Sequence, residues 1–488
     1  MVDPIAFAAS RPKREPVSVF LPGIQAALAA AAMLIVSGCA ATRPDLPTSP
    51  VTPAGIGIEA SHLDPEFWIG RQRDADRQLL EAADIAARND ALLRSDPSMF
   101  DLEQLPATLT AEQVRGWIEK RSAQPRQLLF DEQGREISAE TLGDLRKRLA
   151  LDQLPDTQRT RFGLVVNRAD LRTFPTRMRV FNSRDSTDID RFQESALFPA
   201  TPVAIAHASS DGEWLFVISA AYAAWIDKRF VAEATSQEIF HYVHKSPYLV
   251  VTGSTVRTVY SPEAPLVSEL QLDMSVRVPL LSEWPADALV NGQHPAAAHV
   301  VELPTRNAEG RLQLTPALLP RSADVLTGYL PLTLANLLRQ SFKFLGERYG
   351  WGHSYNARDC SGFVADLYRS FGVQMPRNTG DQGMAEVFRR LAVDSNDSHE
   401  QRLAMLQQLR VGDLVYIPGH VMMVIGHDHG VPFVIHDTQG VAYRGRERVT
   451  RVNLNSVAVT PLTPLLGSGG EPLIDRIYSI QRIAAEAP

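Results

Sequence analysis

Cysteine is nearly absent: the 488-residue chain has two, Cys39 and Cys360. That rules out a disulfide-stapled scaffold and leaves folding to buried apolar surface. An excess of either charge is also lacking. Lys plus Arg number 49 against 56 Asp plus Glu, and the net charge of −7 gives no electrostatic reason to expect nucleic acid or an acidic lipid surface as a partner. What remains, 44% apolar and 22% charged residues, is the composition of ordinary folded domains. The length suggests roughly three of them.

After basic Arg11, Lys13 and Arg14, the stretch from Val17 to Gly38 is apolar and uncharged, and Ser37 and Gly38 stand directly before Cys39. Its length alone allows a membrane span. The basic start, apolar centre and small-residue end fit a secretory signal better. Ser-Gly-Cys resembles the lipobox of bacterial lipoproteins, which implies removal of residues 1–38 and lipidation of Cys39; an uncleaved N-terminal anchor is the alternative. By the same resemblance, Ala40 in place of Asp implies an outer-membrane lipoprotein facing the periplasm, held to the membrane by its lipid anchor only. Residues 39–58, rich in Pro, Thr and Ser, read as a flexible tether. With Cys39 lipidated, Cys360 has no intramolecular disulfide partner in an oxidising compartment. It is then either a small buried hydrophobe or a nucleophile.

Residues 59–155 carry helical signals: the run 71–93 has apolar residues spaced by three and four, and Thr110 caps a second helix through Val114, Trp117 and Ile118. From 156 to 240 and from 241 to 325, short β-branched and aromatic runs between Gly, Asp, Asn and Pro predict small β-barrels, with Trp214, Tyr222, Trp225 and Ile226 in the core. These resemble bacterial SH3-like domains. Residues 326–488 are α/β in texture. Thr333 caps a helix whose Leu334, Leu337, Leu338 and Leu345 share a face. A Gly-rich turn then delivers Cys360 to the start of a second helix that stops at Gly372. A polar helix follows, then strands over LVYI, HVMMVI and PFVIH, the last two forming a hairpin around 426–430. The fold class is therefore multidomain α+β.

A cysteine attacks carbonyls as thiolate, and an unperturbed thiol has a pKa of about 8.5, so it needs a helix N-terminus and an imidazolium beside it. Four histidines lie on the hairpin: His420, His427, His429 and His436. His420 opens one strand and His436 ends its neighbour, so they can sit side by side as base and orienting partner. His427 and His429 read as loop residues; His-Asp-His supplies too few spaced ligands to argue for a metal site.

Asp-Cys-Ser-Gly-Phe-Val, preceded by Tyr349, Trp351 and Gly352 and followed by Met-Pro-Arg at 375–377, Gln382, GDLVYI, GHVMMVIG and His436, resembles the NlpC-type family of papain-like cell-wall peptidases. The resemblance spans roughly 330–460. It implies a papain-like domain with Cys360 as nucleophile, His420 as base, His436 as its orienter and the Cys360 amide as oxyanion donor. It also implies Tyr349, Asp359 and Ser361 at the substrate, with core packing and helix capping as the plainer roles of Tyr349 and Asp359. Asn378 and Thr379 stand where some relatives grip a free peptide amine; Asn378 replaces an acid there, and His353 replaces a second glycine of the turn. The implied reaction is hydrolysis of peptidoglycan stem peptides or muropeptides between γ-D-glutamate and the diamino acid through a thioester, with no metal or organic cofactor. Alternatives are a non-catalytic wall-binding lipoprotein and an N-acetylmuramoyl-L-alanine amidase or acyltransferase on the same fold.

Overall fold

The computed structural model of the protein describes residues 56–391, 393–444, 449–467 and 469–484. The expected signal segment, Cys39 and the tether as far as residue 55 lie outside the described residues. Helices α1 (Ala82–Ser95), α2 (Ala111–Arg121), α3 (Ala139–Arg148), α4 (Ser236–His244), α5 (Leu334–Phe342), α6 (Cys360–Arg369), α7 (Thr379–Met384) and α8 (His399–Leu406) alternate with β-rich segments. No helix among the described residues is long and apolar enough to cross a membrane.

The run 71–93 is only partly helical. α1 begins at Ala82, where Glu81 and Asp84 close a capping box. Upstream, the Leu79 N–H donates to Leu332 O, Leu80 is buried and Asp74 is left-handed, so tertiary contacts override the local periodicity. Thr110 caps α2 as its sequence indicates, accepting from the Gln113 N–H. The N-terminal segment divides between two cores. Trp68, Leu80, Ile85, Leu92 and Met99 bury with α5 and α6, whereas Leu109, Val114, Ile118, Leu145 and Leu149 bury with Phe216 and Trp225 of the first β-rich unit.

That unit is a seven-stranded antiparallel sheet running from Arg161–Val165 to Val231–Ala234. Between 248 and 327 three small sheets enclose a separate core of Leu249, Val251, Leu272, Val278, Val301 and Leu319.

The C-terminal sheet has six strands: β1 (Arg389–Leu391), β2 (Asp413–Ile417), β3 (His420–Asp428), β4 (Val431–Thr438), β5 (Ser456–Pro461) and β6 (Ser479–Arg482), in the order β1-β6-β2-β3-β4-β5. β2, β3 and β4 form the expected meander, with His427 inside β3 and His429 in the turn. Side chains alternate across a strand. Val421, Met423, Phe433 and Ile435 therefore face α6, and Met422, Val424 and Val434 face a second core with Leu462, Leu473 and Ile474.

Candidate active site

The turn before α6 is unusual backbone. Gly352, His353, Tyr355 and Asn356 all have left-handed φ, between 55° and 65°, a conformation that costs a non-glycine residue about 1–2 kcal/mol. Contacts from the first β-rich unit hold it in place. Gln193 Nε2 donates to Gly352 O, Trp351 Nε1 donates to Gln193 O, and Arg168 Nη2 donates to the carbonyls of His353 and Ala357. His353 tolerates the conformation because its ring is buried against Phe198, Gly362 and the Arg377 guanidinium.

Cys360 is the first residue of α6, with Asp359 as N-cap. Asp359 Oδ1 accepts from the Gly362 N–H at 2.9 Å and Ser361 Oγ at 3.3 Å, and Oδ2 accepts from the Gly352 N–H at 3.0 Å and Arg377 Nη2 at 2.8 Å. Both oxygens are thus occupied in shaping the turn, the capping role. Ser361 Oγ also accepts from Arg377 Nη1. The amides of Gly362 and Phe363 are taken by Asp359; among the described residues those of Cys360 and Ser361 donate to no protein group. Two free amides at a helix start are suited to an oxyanion.

The imidazoles meet as the hairpin argument requires. His420 Nε2 lies 2.8 Å from His436 Nδ1, and His436 Nε2 lies 3.0 Å from the buried Thr460 Oγ1 on β5. With Nε2 engaged, His420 keeps Nδ1 free among the described residues. The Val421 amide, one residue on, is close enough to the Cys360 sulfur to favour its charge, and His420 feels the carboxylate of Asp359, the residue before Cys360. The Cys360 sulfur thus lies by the start of β3, beside the residue that follows His420. A cavity of about 320 Å³ borders His420 and His436 and is also lined by Ile417, Thr438, Leu465 and Arg476.

Burial governs the charges. It pushes the Cys360 thiol up to about 12, with the Asp359 and Asp437 carboxylates adding to the shift, and drives His420 down to about 4 and His436 well below its ordinary value. In the free protein at neutral pH the thiol and both imidazoles are therefore uncharged. Desolvation here outweighs the helix terminus and the neighbouring imidazole, which alone would favour the thiolate.

Tyr349 is buried, raised in pKa first by desolvation and then by Cys360, Asp359 and Asp437; its hydroxyl hydrogen-bonds no protein group among the described residues. Asn378 is exposed at the start of α7, with Nδ2 bonded to Asp381, and Thr379 O accepts from Tyr478; among the described residues no hydrogen bond joins either one to Cys360, His420 or His436. Sequence reasoning missed Arg377 as a structural pivot: its Nε also donates to Ser195 Oγ of the first β-rich unit at 2.7 Å. It missed Thr460, which only strand pairing brings beside His436, and Asp437, which directly follows His436. His427 Nε2 bonds Leu406 O, while Asp428 pairs with His62 and Arg71 of the N-terminal segment. Among the described residues no three His, Cys, Asp or Glu side chains are grouped to hold a metal ion.

Residues 346–448 match the NlpC/P60 family profile, and residues 179–227 match that of the SH3 domain of SH3b1 type. A gamma-D-glutamyl-L-lysine dipeptidyl-peptidase of Bacillus cereus is 26% identical over 219 residues, 44% of this chain and 52% of that protein, so the chain spans about half the length of the curated relative it matches. An NlpC/P60 endopeptidase from Photobacterium damselae subsp. piscicida superposes with a TM-score of 0.69 at 16% identity, over 87% of this chain and 97% of that one. A Bacillus cereus NlpC/P60 family protein covers 66% of this chain and 99% of its own at a TM-score of 0.46 and 20% identity. The chain carries an NlpC/P60 domain behind an SH3b domain and N-terminal helices.

Proposed function

We propose that the protein is a cysteine endopeptidase of peptidoglycan stem peptides, cleaving between γ-D-glutamate and the diamino acid. The observation that carries this reading is the His420–His436 pair at 2.8 Å, which leaves one imidazole nitrogen for a sulfur at a helix start with two unpaired amides. The name of the Bacillus cereus relative supports the choice of bond.

In this mechanism substrate entry excludes water, and the Cys360 proton passes to His420 Nδ1 as the sulfur attacks the γ-carbonyl carbon. Because burial opposes both charges at rest, the transfer accompanies attack, when the developing oxyanion gains the amides of Cys360 and Ser361. His420 then gives that proton to the departing amine, and a thioester remains on Cys360. Water, deprotonated by His420, attacks the thioester; the γ-D-glutamyl acid leaves and the thiol is restored. His436 accepts from His420 Nε2 throughout and spreads the imidazolium charge. The amine-side residue must sit beside His420, which makes the cavity bordered by His420 and His436 its natural place. Lipidation at Cys39, read from the sequence before it, would hold the enzyme on the periplasmic side of the outer membrane, within reach of wall material.

Mass spectrometry of purified muropeptides after incubation tests the reading. Products ending in γ-D-glutamate, with a new diamino-acid N-terminus, are expected. Freed lactyl-alanine junctions would instead assign an amidase, and unchanged muropeptides a wall-binding protein.

A further inference from the structure

Asp437 is a fully buried carboxyl group with no hydrogen-bond partner on either oxygen among the described residues. An unpaired acid in a core costs about 1–3 kcal/mol or more, so its persistence calls for a reason. Its position supplies one. It follows His436 on β4, and alternation turns it to the opposite face, toward α6. The β3–β4 register, Met423 opposite Ile435, sets Asp437 beside Val421, whose amide approaches the Cys360 sulfur. Cys360 and Tyr349 both respond to its charge.

The charged and titratable groups around it are Asp359 and Cys360 at the start of α6, Glu347, Tyr349 and Arg358 in the preceding turn, and His436 on its own strand with His420 on the next; its partner on β5, Val457, is apolar. Burial first, then Asp359 and Glu347, raise the carboxyl to about 9, against the opposing pull of Arg358. At neutral pH it carries its proton.

We propose that Asp437 is a positioning residue of the site, a neutral carboxylic acid held under the nucleophile. While protonated it offers its O–H to the sulfur as the Cys360 proton moves to His420; once ionised it opposes the thiolate. No bond is exchanged at Asp437 itself: its proton stays on the carboxyl, and the O–H, unpartnered at rest, turns to the sulfur as negative charge develops there. The acid thereby sets the upper pH limit of the reactive thiol. The inference rests on the reading of Cys360 as the reactive nucleophile, but not on the identity of the peptide it cleaves.

The test is the pH dependence of Cys360 alkylation by iodoacetamide in the full chain, read on the peptide that contains Cys360, for the native protein and Asp437→Asn. In the native protein the carboxylate delays the alkaline rise in reactivity, so the substitution should move its midpoint down by about one pH unit or more. Coincident profiles would overturn the proposal. Thermal midpoints give an independent reading. A carboxyl raised in the folded state destabilises increasingly between pH 3.8 and about 9. The gain in melting temperature from Asp437→Asn should therefore grow through that window, and a constant difference would count against the assignment. If the variant does not fold, ¹³C-carboxyl spectra of aspartate-labelled native protein decide: a buried aspartate still protonated at pH 8 supports the proposal, and full ionisation refutes it. Because alkylation needs no peptide, failure to cleave muropeptides would remove the proposed substrate and leave this inference standing.

Discussion

Thr460 Oγ1 lies 3.0 Å from Nε2 of His436, on the side away from His420. For His420 to accept the thiol proton at Nδ1, its Nε2 must carry hydrogen and donate to His436 Nδ1, so His436 must carry hydrogen on Nε2 and donate to Thr460. The Thr460 hydroxyl is able to accept that hydrogen and so supports the productive tautomer two residues away. Thr460→Val leaves a buried N–H unpaired and favours the opposite tautomer; kcat should fall roughly 10-fold, with Thr460→Ser restoring most of it. Steady-state rates at fixed pH check this, and an unchanged rate in Thr460→Val would remove Thr460 from the relay.

Loss of the orienter should be milder than loss of the base. His420→Ala should lower kcat by about three orders of magnitude or more and His436→Ala by one to two, since the nucleophile and oxyanion amides persist. Equal losses at the two positions would contradict the roles assigned here.

The buried histidines make the fold acid-sensitive. His353 and His420 are lowered to about 4 from an unfolded value near 6.5, and His436 is also lowered well below it, in each case chiefly by burial. Between these values the unfolded chain binds protons that the folded chain refuses, so stability is lost as pH falls from about 6.5 toward 4. His353 and His420 each account for on the order of 3 kcal/mol. Urea unfolding at pH 7 and pH 4.5 should show the loss, reduced in His353→Gly.

Gly362 is required by His353. A Cβ on Gly362 would lie 2.5 Å from the His353 ring, so Gly362→Ala should cost about 1–3 kcal/mol by overpacking. The double variant with His353→Gly removes the ring and suits the left-handed backbone, and it should recover most of the loss. Additive losses in denaturant melts would show that the two residues are not coupled.

Arg377 ties the SH3b unit to the start of α6 through Ser195, Ser361, His353 and Asp359. Arg377→Met leaves Asp359 buried without its cation and should destabilise by about 3–5 kcal/mol, whereas Ser195→Ala should cost about 1 kcal/mol. Chemical denaturation separates the two cases.

Where chemistry and local pattern coincide, the site was legible in the sequence: Cys360 at a helix start, Thr333 and Thr110 as caps, and His420 and His436 across a hairpin. What was hidden depends on contacts between distant segments. The run at 71–81 has helical spacing but is claimed by Leu332, and Thr460 reaches His436 only because β5 pairs with β4. Asp437 has no local signal of its own, since the unpaired burial that sets it apart is a property of the folded core. The neutral resting state of Cys360 and His420 follows from desolvation, which a spacing argument does not contain.

The most direct test is acid-quenched mass spectrometry of the protein turning over a stem tripeptide. A thioester-linked L-alanyl-γ-D-glutamyl group is expected on the peptide containing Cys360, and it should be absent in Cys360→Ala, which should also release no diamino acid. Continued hydrolysis by Cys360→Ala, or an acyl group on another residue, would contradict the account.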